Sequence, residues 1–259
     1  MLIDSHCHLD HFDEAEISAV IARAREAGVE RMVTIGVRAD QSAVIRSLAE
    51  RFPEQVWATA GVHPQRVGEA PLPSVEELLA LTDHPLVIGI GESGLDYFYD
   101  RAPRETQREG FRRHIKAAQR SGLPLVIHAR DADEDLQAIL EDEHAAGGPF
   151  PFVLHCFSSG RALAEAGVRL GGYVSFSGIL TFKNGEVIRG IAADLPEDRL
   201  LVETDSPYLA PVPLRGKRCE PAYVVHTANA LAAVRGVGVA EVGAFTTANF
   251  HRLFSKAAD

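Results

Sequence analysis

The 259 residues predict an α/β fold: a closed (β/α)8 barrel of the TIM type, formed as a single domain over 1–259. Three observations lead there. The length is close to the roughly 250 residues typical of such barrels. Eight short apolar runs alternate with longer amphipathic stretches along the chain. Ionisable residues stand where several of those runs end, which is where a barrel of this kind gathers its reacting groups.

The apolar runs are 2–5, 31–36, 57–61, 86–91, 124–128, 152–156, 172–177 and 200–204. Most are too short for helices and several are rich in Val and Ile, as expected of strands buried on both faces of a parallel sheet. After the first, 14–27 places Ile17, Val20, Ile21 and Ala24 on one helical face and stops at Gly28. Ser74 with Glu77 forms a capping-box pattern ahead of Leu78, Leu79 and Leu81. Residues 104–120 carry Phe111, Ile115 and Ala118 at helical spacing and end before Gly122 and Pro124. Further helices are expected over 133–144, 160–170 and 185–193, and the tail 221–255 reads as two helices broken around 236–238. Strands that alternate with helices throughout favour a closed barrel over an open, doubly wound sheet.

Composition narrows the function. With 46% hydrophobic and 24% charged residues the chain can bury a large core and does not read as disordered. A formal charge of −10 argues against a protein that coats nucleic acid through a basic surface. It leaves an anionic substrate open, because bound divalent cations supply local positive charge. The first residues lack a secretory or twin-arginine pattern, and no apolar run approaches the length of a bilayer span. The expected location is therefore the cytoplasm, without membrane contact and without an obligate protein partner. Cys7, Cys156 and Cys219 are too scattered for a disulfide framework or for CxxC metal spacing, so they are expected to be reduced, half-buried thiols.

The chemistry lies at the run ends. His6 and His8 stand two apart in Asp4-Ser5-His6-Cys7-His8. Side chains two positions apart on an extended chain share a side, so both imidazoles can reach one ion, although an isolated pair is more often a polar turn. Glu92 follows the fourth run, with Gly91 and Gly94 beside it to admit backbone or ligand. A carboxylate there can bridge two cations; alone it would more often cap a helix or face solvent. His128 and His155 end the fifth and sixth runs. Either alone reads as a hydrogen-bonded core residue, but burying two unneeded polar rings at equivalent ends is costly. Asp205 closes the eighth run and can hold a cation or accept a proton. Glu203 points the same way one step deeper, with an orienting or charge-balancing role. Together His6, His8, Glu92, His128, His155 and Asp205 form a candidate ligand set for two divalent cations: magnesium, manganese or zinc.

These strings resemble the TatD family of metal-dependent deoxyribonucleases, within the amidohydrolase-like barrels. The resemblance rests on DSHCHLD near the start, GVHP at 61–64, GESGLDY at 91–97, HAR at 128–130, HCFS at 155–158, and ETDSPYLAP with RGKR in 203–218. It covers essentially the whole chain, in order. It implies that His6, His8 and Asp205 hold one ion, that His128 and His155 hold the other, and that Glu92 bridges. Two positions depart from the family pattern: Cys219 stands where asparagine is more frequent, and Ser93 where an apolar residue is. Both bear on substrate contacts rather than on ligands.

Two cations about 3.5–4 Å apart activate a water and stabilise both attacking and leaving oxygens of an in-line displacement. The expected reaction is phosphodiester hydrolysis, with Asp205 as proton acceptor and Glu92 at the shared centre. His63, ending the third run, is available to bind a phosphate oxygen or merely to cap the His-Pro turn. Arg130, Arg215, Lys217 and Arg218 are further phosphate candidates. The resemblance implies 3′ to 5′ exonuclease action on single-stranded DNA, with RNA as a further substrate. Two other classes stay open: an amidohydrolase, esterase or lactonase acting on a small carbonyl substrate, and a non-catalytic, metal-dependent nucleic-acid-binding module.

Overall fold

Eight parallel strands follow one another in chain order: β1 (Leu2–Cys7), β2 (Val29–Thr34), β3 (Val56–Ala60), β4 (Val87–Asp96), β5 (Leu125–Arg130), β6 (Phe152–Leu154), β7 (Tyr173–Phe176) and β8 (Leu200–Val202). Around them lie α1 (Ile17–Glu26), α2 (Ser42–Arg51), α3 (Val75–Leu81), α4 (Arg104–Ser121), α5 (Asp133–Gly147), α6 (Arg161–Arg169), α7 (Glu186–Asp194), α8 (Val224–Arg235) and α9 (Val239–Leu253). This is a (β/α)8 barrel. The computed structural model describes residues 1–257; the last two residues of the expected domain lie outside them.

Two apolar layers follow from the period of two along each strand. Ile3, Val33, Trp57, Ile88, Val126, Val153, Tyr173 and Leu201, one from each strand, fill the barrel interior. Their neighbours, among them Met32, Val56, Val87, Leu125, Phe152 and Leu200, face the surrounding helices. Phe250 and Leu253 of α9, with Phe254, close the end where the strands begin, and the Phe250 ring stacks 5.4 Å from that of Trp57.

The seam between β8 and β1 is closed by the candidate ligands' own backbone. The Asp205 N–H donates to the His6 carbonyl (2.9 Å) and the His8 N–H to the Ser206 carbonyl (2.8 Å). Asp4 ties the same seam through its carboxylate, which accepts from the Thr204 N–H (2.8 Å) and hydroxyl (2.6 Å).

The expected helices form, and α3 starts with the full capping box: the Ser74 hydroxyl accepts from the Glu77 N–H, and the Glu77 carboxylate accepts from the Ser74 N–H. Helix α2 is an addition. Its stripe of Ile45, Leu48 and Ala49 has helical spacing but is narrow and sits beside the exposed Val44. Strand β4 runs further than its apolar residues, because it shifts register on β5 between Ile90 and Ser93 and goes on pairing to Asp96. Cys7 and Cys219 are fully buried rather than half-buried, Cys156 is partly so, and all three are free thiols. Among the described residues no single helix is long and apolar enough to cross a membrane.

Candidate metal centre

Glu92 enters the mouth of the barrel from the middle of β4, and local geometry fixes it there. Gly91 has a φ of 118°, and a side chain at Gly61 on the neighbouring β3 loop would lie 2.5 Å from the Gly91 Cα. A Cβ at Gly94 would lie 2.0 Å from the His128 carbonyl. What approaches these glycines is backbone, so they press β3, β4 and β5 together beneath the carboxylate.

The carboxylate, only 2% exposed as a residue, reaches two groups of imidazoles. Its Oε1 lies 2.8 Å from His155 Nε2, 2.9 Å from His128 Nδ1 and 3.3 Å from His63 Nε2. Its Oε2 lies 3.5 Å from His6 Nε2 and 3.9 Å from His8 Nε2. On that second side His6 Nε2 and His8 Nε2 are 3.2 Å apart, and Asp205 Oδ1 is 3.6 Å and 3.5 Å from them. Ligands at about 2.0–2.1 Å from one tetrahedral ion stand about 3.4 Å apart, so this trio has the spacing of a coordination shell. His6 Nδ1 and His8 Nδ1 are buried with no hydrogen-bond partner, which leaves the Nε2 atoms as the only engaged nitrogens. The donor set fits a divalent cation.

Further residues decide which nitrogen each imidazole turns inward. Glu203, fully buried, meets His155 Nδ1 at 3.2 Å, so Nε2 faces Glu92. Asp96 meets His128 Nε2 at 3.1 Å, so Nδ1 faces Glu92. Carboxylates behind metal-binding histidines commonly fix ring orientation in this way. Asp96 was not among the expected residues, although it lies on the same face of β4 as Glu92 by strand alternation. His63 is held differently: its Nδ1 accepts the Gln65 N–H at 3.1 Å, which puts the ring proton on Nε2. His63 therefore makes the turn-capping contact and also points a donor at Glu92.

The electrostatics follow from crowding. Burial disfavours the charged form of Glu92, yet His155, His63 and His128 outweigh it and hold the carboxyl well below the usual carboxylate range. Burial likewise opposes charge on His155, but Glu92 and Glu203 raise it well above an ordinary histidine. His6 goes the other way, depressed by burial and by the His155 ring stacked 3.9 Å from it. Burial pushes the Asp4 carboxyl up to about 8, against the hydrogen bonds from Thr204.

A cleft of about 1310 Å³ opens over this centre and reaches His8, His63, Glu92, His128, His155 and Asp205. Of the basic phosphate candidates, Arg130 lines it. Arg218 is instead drawn to Glu16 (2.9 Å) and the His11 carbonyl, and Arg215 stacks on Phe182 at 3.8 Å. Lys217 and Cys219 also lie outside the lining. Ser93 is buried, so neither departure from the family pattern touches the cleft.

The family of TatD-related DNases matches residues 3–255. YcfH of Escherichia coli, an uncharacterized metal-dependent hydrolase, is 42% identical over 260 residues, covering 98% of this chain and 95% of that one. The 3′-5′ ssDNA/RNA exonuclease TatD of Erwinia tasmaniensis is 35% identical over 245 residues, 91% of this chain and 92% of its own. Among solved structures, YJJV, a TatD homologue from Escherichia coli, superposes with a TM-score of 0.90 at 28% identity, covering 98% of both chains. With motifs, barrel and whole-length similarity in agreement, the chain belongs to the TatD-related DNase family.

Proposed function

We propose that this hydrolase is a nuclease that removes nucleotides from an end of single-stranded DNA or RNA, in the 3′ to 5′ direction. One observation carries the reading: the two oxygens of Glu92 face different groups, His6, His8 and Asp205 on one side and His63, His128 and His155 on the other. Two divalent cations held by His6, His8 and Asp205, by His128 and His155, and by Glu92 between them would supply an activated water and neutralise phosphate charge.

The chain's own groups divide the remaining work. Asp205, at the rim with its side chain 16% exposed, is placed to accept the proton of the attacking water. Its φ of 58° is a left-handed conformation, of the kind that clusters at functional sites. His63, whose Nε2–H points at Glu92 Oε1 (3.3 Å), would give that donor to a non-bridging phosphate oxygen once a cation engages the carboxylate. Asp96 and Glu203 keep His128 and His155 from rotating. The cleft exceeds the roughly 300–1,000 Å³ of most small-molecule pockets, which favours a polymer end over a lactone or cyclic amide. The nuclease named TatD among the relatives supports strand and polarity. A cytoplasmic location belongs to the same proposal and is checked by cell fractionation.

The test is a metal-by-substrate matrix on chelator-stripped protein, with oligonucleotides labelled at either end. A ladder shortening from the 3′ end with magnesium, manganese or zinc is expected. Internal cuts only would contradict exonuclease action, and hydrolysis of lactones without loss of DNA would overturn the nuclease reading.

A further inference from the structure

Beyond the proposed ligands the cleft continues over loop 97–101, between β4 and α4. Among the described residues the exposed aromatics are Phe98, Tyr99 and Tyr208, at 54%, 48% and 52%. Tyr99 and Tyr208 line the cleft, and Phe98 meets Tyr99 edge-on, with ring centroids 4.9 Å apart. The two groups follow β4 and β8, which are four strands apart in the closed order and so face each other across the mouth. Elsewhere the protein buries its aromatic rings at least in part.

Positive charge stands beside these rings. Arg104 is tied to Asp100 (3.3 Å) and Arg108 to Asp135 (3.0 Å), as is common on this acidic surface. Arg101 and Arg130 have no carboxylate partner among the described residues; they lie against aromatic rings instead. The Arg130 guanidinium carbon is 4.3 Å from the Phe98 ring centre and 4.9 Å from that of Tyr99, and Arg101 is 5.4 Å from the latter. Flat rings in water beside guanidinium groups that no carboxylate bridges offer π-faces and positive charge a few ångströms apart. Unstacked bases joined by phosphates take both, whereas a duplex keeps its base faces covered.

We propose that loop 97–101 and Arg130 form a stacking platform for the single strand leading away from the scissile phosphate. Bases lie against Phe98 and Tyr99, and phosphates against Arg101 and Arg130. The inference rests on the nuclease reading for its substrate class but names a surface that the metal centre does not require.

The experiment uses the full chain, with a fluorescent octathymidylate of phosphorothioate linkages for binding and plain octathymidylate for cleavage. A Phe98→Ala/Tyr99→Ala double variant should bind the octamer about 10-fold or more weakly, with an unchanged melting temperature. Arg130→Gln should lower the slope of log Kd against log salt by about 0.7 for each phosphate that the guanidinium no longer neutralises. Unchanged affinity and unchanged KM in the double variant, or tighter binding of a duplex than of a single strand by the wild type, would overturn the platform. Binding that depends on Phe98 and Tyr99 without any cleavage leaves the platform standing and removes the nuclease reading. Cleavage with wild-type kinetics in the double variant does the reverse, and a wild type that neither binds nor cuts removes both.

Discussion

Where the strands begin, the turns into β2, β5, β6 and β7 place Gly28, Gly122, Gly148 and Gly171 at φ values of 85°, 70°, 86° and 89°. Where the strands end, the left-handed positions include Asp100, Asp131, Cys156, Asp205 and Leu209, at 48°, 53°, 43°, 58° and 53°. Every non-glycine residue of this kind among the described residues lies in a loop after β4, β5, β6 or β8. Glycine adopts that conformation freely, while other residues cost of order 1–3 kcal/mol each. The interior changes in the same direction, from Trp57, Phe250 and Phe254 at one end to a carboxylate ringed by imidazoles at the other. One end is relaxed and apolar, and the other holds strain and buried charge. Stability and chemistry are therefore expected to be separable along the barrel axis.

The sharpest break should come at the strained end. Asp205→Asn is expected to lower kcat about 10⁴-fold while leaving the melting temperature unchanged, measured by oligonucleotide turnover and calorimetry. Wild-type turnover in that variant would remove Asp205 as proton acceptor. Next, at the apolar end, Phe254→Ala should cost about 3–5 kcal/mol in denaturant unfolding, because it opens a cavity in the interior plug, while kcat stays within about twofold. A large loss of kcat in the folded variant would show that the two ends are coupled.

A third test probes the wall between them. His114 of α4 donates from Nδ1 to the Gly110 carbonyl (2.7 Å) and accepts the Val62 N–H at Nε2 (3.0 Å), next to His63. Burial pushes this imidazole down to about 4 from 6.5. Below pH 6.5 the unfolded chain therefore takes up a proton that the folded one refuses until about pH 4. Stability from this group is full above 6.5 and falls with pH by up to about 1.4 kcal/mol per unit across that window. His114→Gln should flatten that segment of the stability-versus-pH curve, and an unchanged slope would contradict the assignment. The smallest effect belongs to a turn: Gly122→Ala meets no atom within 4 Å, so it should cost only the left-handed strain, about 1–2 kcal/mol, with activity retained.

Much of this arrangement is legible in the amino-acid pattern. Buried parallel strands are short and apolar, so the residue that follows each one, such as His155 after Leu154, stands out. Other placements depend on backbone irregularity. Strict alternation from Ile3 and Ser5 would turn His6 away from the interior, and a register shift between Asp4 and Cys7 brings it in. Asp96 carries a readable signal, the even spacing from Glu92 along β4. The diversion of Arg218 carries none, because its partners Glu16 and Phe12 lie some two hundred positions away in the chain.

The most direct measurement of the proposed dinuclear centre is anomalous diffraction from crystals soaked in manganese. Two peaks about 3.5–4 Å apart are expected, one beside His6, His8 and Asp205 and one beside His128 and His155, with Glu92 between them. A single peak remote from Glu92, or none in a well-folded crystal that tolerates the soak, would contradict the shared centre.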